Sequence, residues 1–239
     1  MNLPRIIGHR GAAGHAPENT LASMRTAAAL GARCVEFDVH LSADSVPVLL
    51  HDDTLERTTD GKGAVAAHGV DHLRTLDAGS WFSDAFAGER LPTLEQAIQQ
   101  LAHLGLGANV EVKPSSGREA DTGLAVARML REQWPAALPM PVISSFAPDS
   151  LAAARAAAPE IPRAKLVRNL NGDWARDMRD LGCTILHCSE KALTAERADQ
   201  IRHTGFLLNA FTVNDKSRAD RLFSWGVGSV FTDYPDRLL

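Results

Sequence analysis

Acidic residues recur at alternate positions in two β-rich segments of the chain. Glu36 and Asp38 lie two residues apart in the first segment, and Glu111 lies between Asn109 and Lys113 in the second. Side chains at positions i and i+2 of a strand point to the same face of a sheet, so each segment presents these polar residues together. If both faces are interior to the fold, the three carboxylates converge.

Three carboxylates in one place need a compensating charge. Without a cation they repel one another and their pKa values rise, whereas a hard divalent ion is satisfied by oxygen ligands. We therefore infer a site for Mg²⁺ or Ca²⁺, with Mn²⁺ also possible, at Glu36, Asp38 and Glu111. The alternative is that Arg10 and Lys113 neutralise these acids as structural ion pairs, although burial of so many charges is a poor source of stability.

Two histidines accompany these acids. His9 follows a short apolar segment, and His51 ends a segment that we expect to return toward the carboxylates. A phosphodiester needs a base for the attacking hydroxyl and an acid for the departing alkoxide, and imidazole titrates near the pH required for both roles. Arg10 and Lys113 would place positive charge against the phosphate oxygens. The pattern predicts metal-assisted phosphodiester chemistry.

The other seven histidines are interpreted differently. A histidine at a strand end is more often a hydrogen-bonded structural residue than a catalyst, and we expect this of His40, His68, His72, His103, His187 and His203. His15 lies close to the first site loop and is a further candidate for a substrate contact.

The segments that must position these residues alternate between β-rich and helical. Parallel strands joined by crossover helices give this pattern, and in such barrels the functional groups come from the carboxyl ends of the strands. We predict a TIM (β/α)8 barrel that forms a single domain over residues 1–239. Nine segments are predicted as strands, near residues 6–8, 34–39, 46–51, 109–112, 142–145, 164–167, 184–187, 206–211 and 229–231.

Nine strands are one more than an eight-stranded barrel needs. Between Val39 and Val46 there is no room for a crossover helix, so the third segment is predicted to run back antiparallel to the second. A two-residue turn at 43–44 would pair residues whose numbers sum to about 87, which sets His51 opposite Glu36.

Two further predictions concern the loops. Residues 52–90 have no strong period and are predicted to form a small inserted subdomain. Asn19 is predicted to cap the helix over 20–30.

Composition and charge restrict the classes of partner that this chain can bind. The chain has 25 basic and 29 acidic residues, a net charge of -4 and no basic stripe, which disfavours nucleic acid. No apolar run reaches the length of a membrane span, and the N-terminal sequence leaves no room for a signal peptide. Three cysteines form neither an even set nor a CxxC pair. We therefore expect a cytoplasmic protein that does not insert into membranes.

Nine short motifs in order resemble those of the glycerophosphodiester phosphodiesterase family over essentially the whole chain. They are His9-Arg10-Gly11, Pro17-Glu18-Asn19-Thr20, Glu36-Phe37-Asp38-Val39, His51-Asp52, Leu91-Pro92-Thr93-Leu94-Glu95, Glu111-Val112-Lys113, Ser144-Ser145-Phe146, Phe211-Thr212-Val213-Asn214 and Thr232-Asp233-Tyr234-Pro235.

The resemblance implies a TIM barrel with a small insertion that hydrolyses a glycerophosphodiester, such as glycerophosphocholine or glycerophosphoethanolamine, to glycerol 3-phosphate and an alcohol. It implies acid–base roles for His9 and His51. It also implies that Glu36, Asp38 and Glu111 hold the metal, and that Arg10 and Lys113 contact phosphate. Phe211 replaces the tryptophan of many relatives and keeps an aromatic wall for the glycerol moiety. The chain resembles the cytosolic branch of the family.

Two other functions stay open at this stage. A lyase of the sphingomyelinase D or phosphatidylinositol-specific phospholipase type would use a similar barrel and two histidines but release a cyclic phosphate. A binding barrel without catalysis would keep the fold, although it would be expected to lack a histidine or a metal carboxylate, and none is missing. The preferred head group, the metal, the acid or base role of each histidine and the oligomeric state are left undecided.

Overall fold

Strands and helices alternate along nearly the whole chain. The computed structural model describes residues 3–239, which contain nine strands and eight α-helices. The strands are β1 Ile6–Gly8, β2 Cys34–Leu41, β3 Pro47–Leu49, β4 Gly107–Val112, β5 Val142–Ser145, β6 Arg163–Val167, β7 Ile185–Ser189, β8 Leu207–Phe211 and β9 Ser229–Thr232. The helices are α1 Leu21–Ala29, α2 Val70–Leu73, α3 Leu94–Leu104, α4 Glu119–Gln133, α5 Pro148–Ala157, α6 Trp174–Leu181, α7 Ala195–His203 and α8 Lys216–Ser224.

Eight of the strands close into a parallel barrel. Hydrogen-bonded neighbours follow the order β1, β9, β8, β7, β6, β5, β4, β2, and a pairing of β1 with β2 joins the two ends. Parallel neighbours need long crossover connections, and helices provide most of them. The predicted (β/α)8 barrel with one extra strand is therefore confirmed.

The extra strand is β3, which runs antiparallel to the end of β2. Val39 lies opposite Leu49, so partner numbers sum to 88 rather than the predicted 87, and β3 ends before His51. The predicted pairing of His51 with Glu36 is therefore wrong. His51 reaches the site from the loop that follows β3, not from a paired strand position.

The register differs because the hairpin turn is one residue longer than predicted. The backbone N–H of Ser42 donates to Val46 at 3.0 Å, which leaves residues 43–45 as the loop. Ser45 has φ 64°, the left-handed conformation common at the last position of three-residue hairpin loops. One added residue in such a loop changes every cross-strand partner.

Alternation along β2 separates the barrel interior from the helical layer. Val35, Phe37 and Val39 are fully buried in the apolar cluster that the strands form with the surrounding helices. Glu36 and Asp38 alternate with them and point to the other face, into the barrel. Burial of the apolar face thus fixes the direction of the acids.

Residues 52–90 bring a separate apolar cluster against β3. Side chains at Leu55, Val65, Leu73 and Leu76 are buried with Val48 of β3. An isolated antiparallel bridge between Asp77 and Arg90 closes the end of this segment. The segment therefore has its own small core between β3 and α3.

The first helix begins one residue later than predicted. Thr20, not Asn19, is the N-cap of α1, and its side chain accepts a hydrogen bond from the backbone of Ser23. Asn19 adopts φ 57° and turns its side chain into the barrel mouth. There its amide donates to Asp38 Oδ2 at 2.9 Å, while its carbonyl oxygen accepts from the Asp38 backbone at 3.0 Å. The predicted cap is therefore a residue that holds a site carboxylate.

Candidate active site

The three acids meet at the carboxyl-terminal mouth of the barrel. Asp38 of β2 is the register partner of Glu111 of β4, and Glu36 precedes Asp38 on the same face. One carboxylate oxygen from each residue lies within 4.8 Å of the other two. Glu36 and Asp38 are buried, and Glu111 is partly buried. The cluster forms because neighbouring parallel strands present their ends at one edge.

The electrostatics of this cluster favour a bound cation. Burial raises the pKa of Glu36 well above its usual range, and repulsion from Asp38 and Glu111 adds to the effect. Burial and Asp38 likewise raise the pKa of Glu111 to about 8. Glu36 Oε1 is buried without a hydrogen-bond partner among residues 3–239. An all-oxygen donor set with this excess of negative charge fits a divalent cation.

His9 follows β1 and faces carboxylates on two sides. Its Nδ1 lies 2.7 Å from Asp233 Oδ1, and its Nε2 lies 3.9 Å from Glu36 Oε2. Asn214 donates to the second oxygen of Asp233 at 2.6 Å. Burial opposes ionisation of Asp233, but the hydrogen bonds from His9 and Asn214 outweigh it and lower the pKa of the carboxyl group. The ring of His9 is thereby oriented with Nε2 toward the acids.

His51 follows β3 and lies between a carboxylate and an ammonium. Its Nδ1 is 2.6 Å from Asp52 Oδ1, and Lys113 Nζ donates to its Nε2 at 3.1 Å. Burial is the main cause of a lowered pKa for His51, and the positive charges of Arg10 and Lys113 act in the same direction. Arg57 binds both oxygens of Asp52, and its hydrogen bonds lower the pKa of that carboxyl group.

Arg10 and Lys113 both contact the acid cluster. The backbone N–H of Arg10 donates to Glu36 Oε2 at 2.9 Å, and its guanidinium Nε lies 3.4 Å from Asp38 Oδ2. Arg10 has φ 49°, which turns its backbone N–H toward the cluster. Lys113 Nζ lies 3.9 Å from Glu111 Oε1. Both cations therefore lie at the mouth, next to the space above the acids.

A cleft of about 360 Å³ opens beside Glu111 and Lys113. Asp53, Glu119 and Phe146 line it, together with Arg168, whose guanidinium lies 4.6 Å from the centre of the Phe146 ring. Arg168 also lowers the pKa of Glu111, although burial acts more strongly in the opposite direction.

Phe211 lies at the end of β8. Its ring meets Phe146 edge to face, with 6.0 Å between the ring centres. It also lines a small cavity against His9, Glu36 and Glu111. The two aromatic rings therefore connect this cavity to the cleft.

Several residues that contact the candidate site are not indicated by their chemistry in the sequence alone. Asp52, Asp233 and Asn19 each hold a site residue, and all three lie inside motifs that carry the family resemblance. Their motifs were therefore a usable signal. Arg57 and Arg168 lie outside the motifs, and the sequence gives no comparable signal for them.

His15 and His187 have contrasting surroundings. His15 pairs with Asp236 at 2.7 Å and packs edge-on against Tyr234. His187 was expected to be hydrogen-bonded, but neither of its ring nitrogens has a partner in the part of the chain that the structure describes.

Most of the helices belong to the barrel layer. Each helix within residues 3–239 is too short or too polar to span a membrane.

Comparison with known proteins gives a consistent result. The sequence profile described as "Glycerophosphoryl diester phosphodiesterase family" matches residues 9–237. A glycerophosphodiester phosphodiesterase of Bacillus subtilis is 32% identical, covering 96% of this chain and 83% of that protein. One from Caldanaerobacter subterraneus is 31% identical, covering 98% of this chain and 96% of that one.

A solved structure agrees with these relatives. A phosphodiesterase of Oleispira antarctica, in complex with the product sn-glycerol-3-phosphate, superposes with a TM-score of 0.95 and is 41% identical, covering 99% of this chain and 95% of that one. The family match over residues 9–237, the identity to these relatives and the shared fold agree, and the chain therefore belongs to the glycerophosphoryl diester phosphodiesterase family, a family of phosphoric diester hydrolases.

Proposed function

We propose that this chain hydrolyses glycerophosphodiesters such as glycerophosphocholine or glycerophosphoethanolamine to glycerol 3-phosphate and an alcohol. The observation that supports this most strongly is the cluster of Glu36, Asp38 and Glu111 with His9 and His51 beside it. The Oleispira antarctica relative, with sn-glycerol-3-phosphate as its product, supports the same product for this chain.

The proposed metal ligands are Glu36, Asp38 and Glu111, and the proposed ion is Mg²⁺ or Ca²⁺, with Mn²⁺ as a further candidate. When bound, such a cation neutralises the acids and draws electron density from a non-bridging phosphate oxygen. Arg10 and Lys113 are the proposed phosphate-binding residues. Their positive charges lie at the same mouth and would offset the charge that develops on phosphate during displacement.

The surroundings of the two histidines favour different roles. His51 has a lowered pKa and a Lys113 ammonium beside its Nε2, so its neutral form is favoured and Nε2 can accept a proton. His9 meets the Asp233 carboxylate with Nδ1 and faces Glu36 with Nε2, so its ring has acidic rather than basic neighbours. We therefore assign His51 as the base and His9 as the acid in the first step.

The first step would be attack of the glycerol 2-hydroxyl on phosphorus. Its proton passes to His51, the phosphorus bond to the leaving alcohol breaks, and His9 protonates that oxygen. The second step opens the resulting cyclic phosphate with water, with the two histidines in reversed roles. A lyase differs from this scheme in stopping after the first step, so persistence of a cyclic product is the observation that separates them.

The cleft beside Glu111 is the proposed site of the leaving alcohol. Lys113 and Arg168 line it as well as Asp53 and Glu119, and the two carboxylates would attract the ammonium group of choline or ethanolamine. Phe211 meets Phe146 of this cleft edge to face and is the proposed wall for the glycerol moiety. A single domain over residues 1–239, with 52–90 as an insertion, is proposed from the continuous barrel. A cytoplasmic location is proposed from three buried free cysteines.

The test is an assay with glycerophosphocholine after treatment with EDTA. We expect activity to disappear and to return on addition of Mg²⁺, Mn²⁺ or Ca²⁺, with choline and glycerol 3-phosphate as products. Phosphorus NMR of the reaction distinguishes glycerol 3-phosphate from a cyclic phosphate. Full activity in EDTA would contradict the metal assignment. Absence of turnover with every glycerophosphodiester and metal tried would contradict the function.

A further inference from the structure

The small cavity that Phe211 lines together with His9 and Glu111 extends inside the barrel. Its volume is about 20 Å³, and Glu36, Asn109, His187, Leu166 and Phe231 form the rest of its wall. The Phe231 ring meets His187 edge to face, with 4.8 Å between the ring centres. A volume of this size holds one water molecule.

The polar residues around this cavity have unused hydrogen-bonding atoms. Glu36 Oε1, Asn109 Oδ1 and both ring nitrogens of His187 are buried without a partner among residues 3–239. The Asn109 amide nitrogen donates to Ser144 at 2.9 Å, so its oxygen is the atom left over. Buried polar atoms in native proteins are almost always paired with protein or with ordered water. Three residues around one cavity therefore each lack a hydrogen-bond partner.

The protonation state of His187 limits which group can form hydrogen bonds with these atoms. His187 is fully buried, and burial lowers its pKa to about 3, so the ring is neutral and offers one N–H donor. The free atom of Asn109 is an amide oxygen that accepts, and the free atom of Glu36 is a carboxyl oxygen. A neutral imidazole donates through one nitrogen and accepts through the other, so a group that can both accept and donate fits all three residues. Water both accepts and donates.

We propose that the cavity is a binding site for one water that accepts the N–H of His187 and donates to Glu36 Oε1 and Asn109 Oδ1, and that His187 is thereby a positioning residue for Glu36. The other oxygen of Glu36 already accepts the Arg10 backbone N–H at 2.9 Å. With both oxygens held, the carboxylate has one orientation before a cation arrives. The inference rests on the proposed function in one respect, the assignment of Glu36 as a metal ligand.

The experiment measures binding of Mn²⁺ to the metal-free protein by the EPR signal of free Mn²⁺. Loss of a group that orients a metal ligand typically weakens metal binding by about 10- to 100-fold, so we expect His187→Leu to raise the Kd by at least about tenfold. His187→Gln keeps an N–H donor and is expected to remain within about threefold of the wild type. Leu186→Val perturbs the outward, buried face of the same strand and is the matched control, with an unchanged Kd.

The outcomes separate this inference from the proposed function. If Glu36→Gln leaves Mn²⁺ binding unchanged, the proposed metal site is wrong. If Glu36→Gln abolishes binding but His187→Leu leaves it unchanged or tighter, only the role of His187 is overturned. Should His187→Leu fail to fold, a crystal structure of the wild type at atomic resolution decides the matter. Density for a water bonded to His187 and Glu36 supports the proposal, and an empty cavity or one filled by another group overturns it.

Discussion

The two site histidines are held by the same kind of pair in different parts of the molecule. Nδ1 of His9 meets Asp233 at 2.7 Å, and Nδ1 of His51 meets Asp52 at 2.6 Å. The His9–Asp233 pair joins the ends of β1 and β9, strands that are direct neighbours in the barrel. The His51–Asp52 pair lies in the loop after β3, where the inserted segment begins.

The neighbours of the two pairs differ in charge. Asp233 is held by a neutral amide, and the free nitrogen of His9 faces Glu36. Asp52 is bound by the Arg57 guanidinium, and the free nitrogen of His51 faces an ammonium. A carboxylate–imidazole pair therefore does not by itself define an acid or a base. The charged groups on the outer sides of each pair are the proposed cause of the different roles.

The largest expected effect comes from removing either imidazole. General acid or base catalysis contributes about 10²- to 10⁴-fold, so we expect His9→Ala and His51→Ala each to lower kcat by that amount. His203→Ala removes an exposed histidine that pairs with Asp199 on α7, and it is the control that should keep activity. Circular dichroism checks folding. Near wild-type turnover in a folded His9→Ala or His51→Ala variant would remove that residue from the mechanism.

A smaller effect is expected from the orienting carboxylates, and it should be unequal. Asp233→Asn removes the carboxylate that holds Nδ1 of His9, and we expect kcat to fall by about 10- to 100-fold, a fraction of the full acid contribution. Asp52→Asn should cost less, because Arg57 already offsets the charge of Asp52. Asp236→Asn breaks a comparable pair with His15 and is the control. Equal losses of kcat in Asp233→Asn and Asp52→Asn would show that the charged neighbours of the two histidine–aspartate pairs do not distinguish them.

The acid cluster next to both pairs predicts a pH dependence of metal binding. Glu111 has a pKa raised to about 8, so the metal-free protein keeps a proton there at neutral pH, and a cation must displace it. Between pH 6 and 8 we expect Mg²⁺ affinity to rise by about tenfold per pH unit. Calorimetric titration measures this. Because Glu36 also has a raised pKa, Glu111→Gln should lower the slope rather than abolish it. An affinity that is constant over this range would contradict a proton held by the metal-free cluster.

The same raised pKa makes a prediction for stability. A folded-state pKa above the unfolded value stabilises the metal-free protein at low pH, and this contribution is lost as the pH rises toward about 8. Mg²⁺ should therefore raise Tm more at pH 9 than at pH 6. Thermal unfolding with EDTA or Mg²⁺ at both pH values measures the difference. An equal shift at both pH values would contradict it.

The smallest effect is expected at Arg57, which acts on His51 only through Asp52. Its side chain is 44% exposed and bridges Glu18 and Asp52. Exposed ion pairs contribute little to stability, so we expect Arg57→Leu to leave Tm within a few degrees and to lower kcat by about two- to fivefold. Arg25→Leu removes a comparable exposed ion pair with Glu89 and is the control. A loss as large as that of His51→Ala would make Arg57 a direct participant.

Much of the site was predictable because its geometry is local. Alternation along a strand places Glu36 and Asp38 on one face, and Glu111 and Lys113 on one face, whatever the rest of the chain does. Helix ends are local in the same way. Gly105 ends its helix with φ 67°, in the left-handed region that glycine enters without a steric cost. Sequence was sufficient wherever neighbours in the chain settle the direction of a side chain.

Contacts between distant segments were decided only by the tertiary structure. His9 and Asp233 are 224 residues apart, and they meet because β1 and β9 are neighbours in the closed barrel. The hairpin pairing depended on whether its turn held two residues or three, a difference that Ser45 settles through its backbone conformation. Asn19 was predicted as a cap from its type alone, but a competing contact with Asp38 takes its side chain.

The sequence by itself determined which residues are candidates for the chemistry and on which faces they lie, because strand alternation acts over two residues. Only the tertiary structure decided which charges surround each histidine and which atoms of His187 find no partner among residues 3–239, because barrel closure brings together side chains that no local pattern relates.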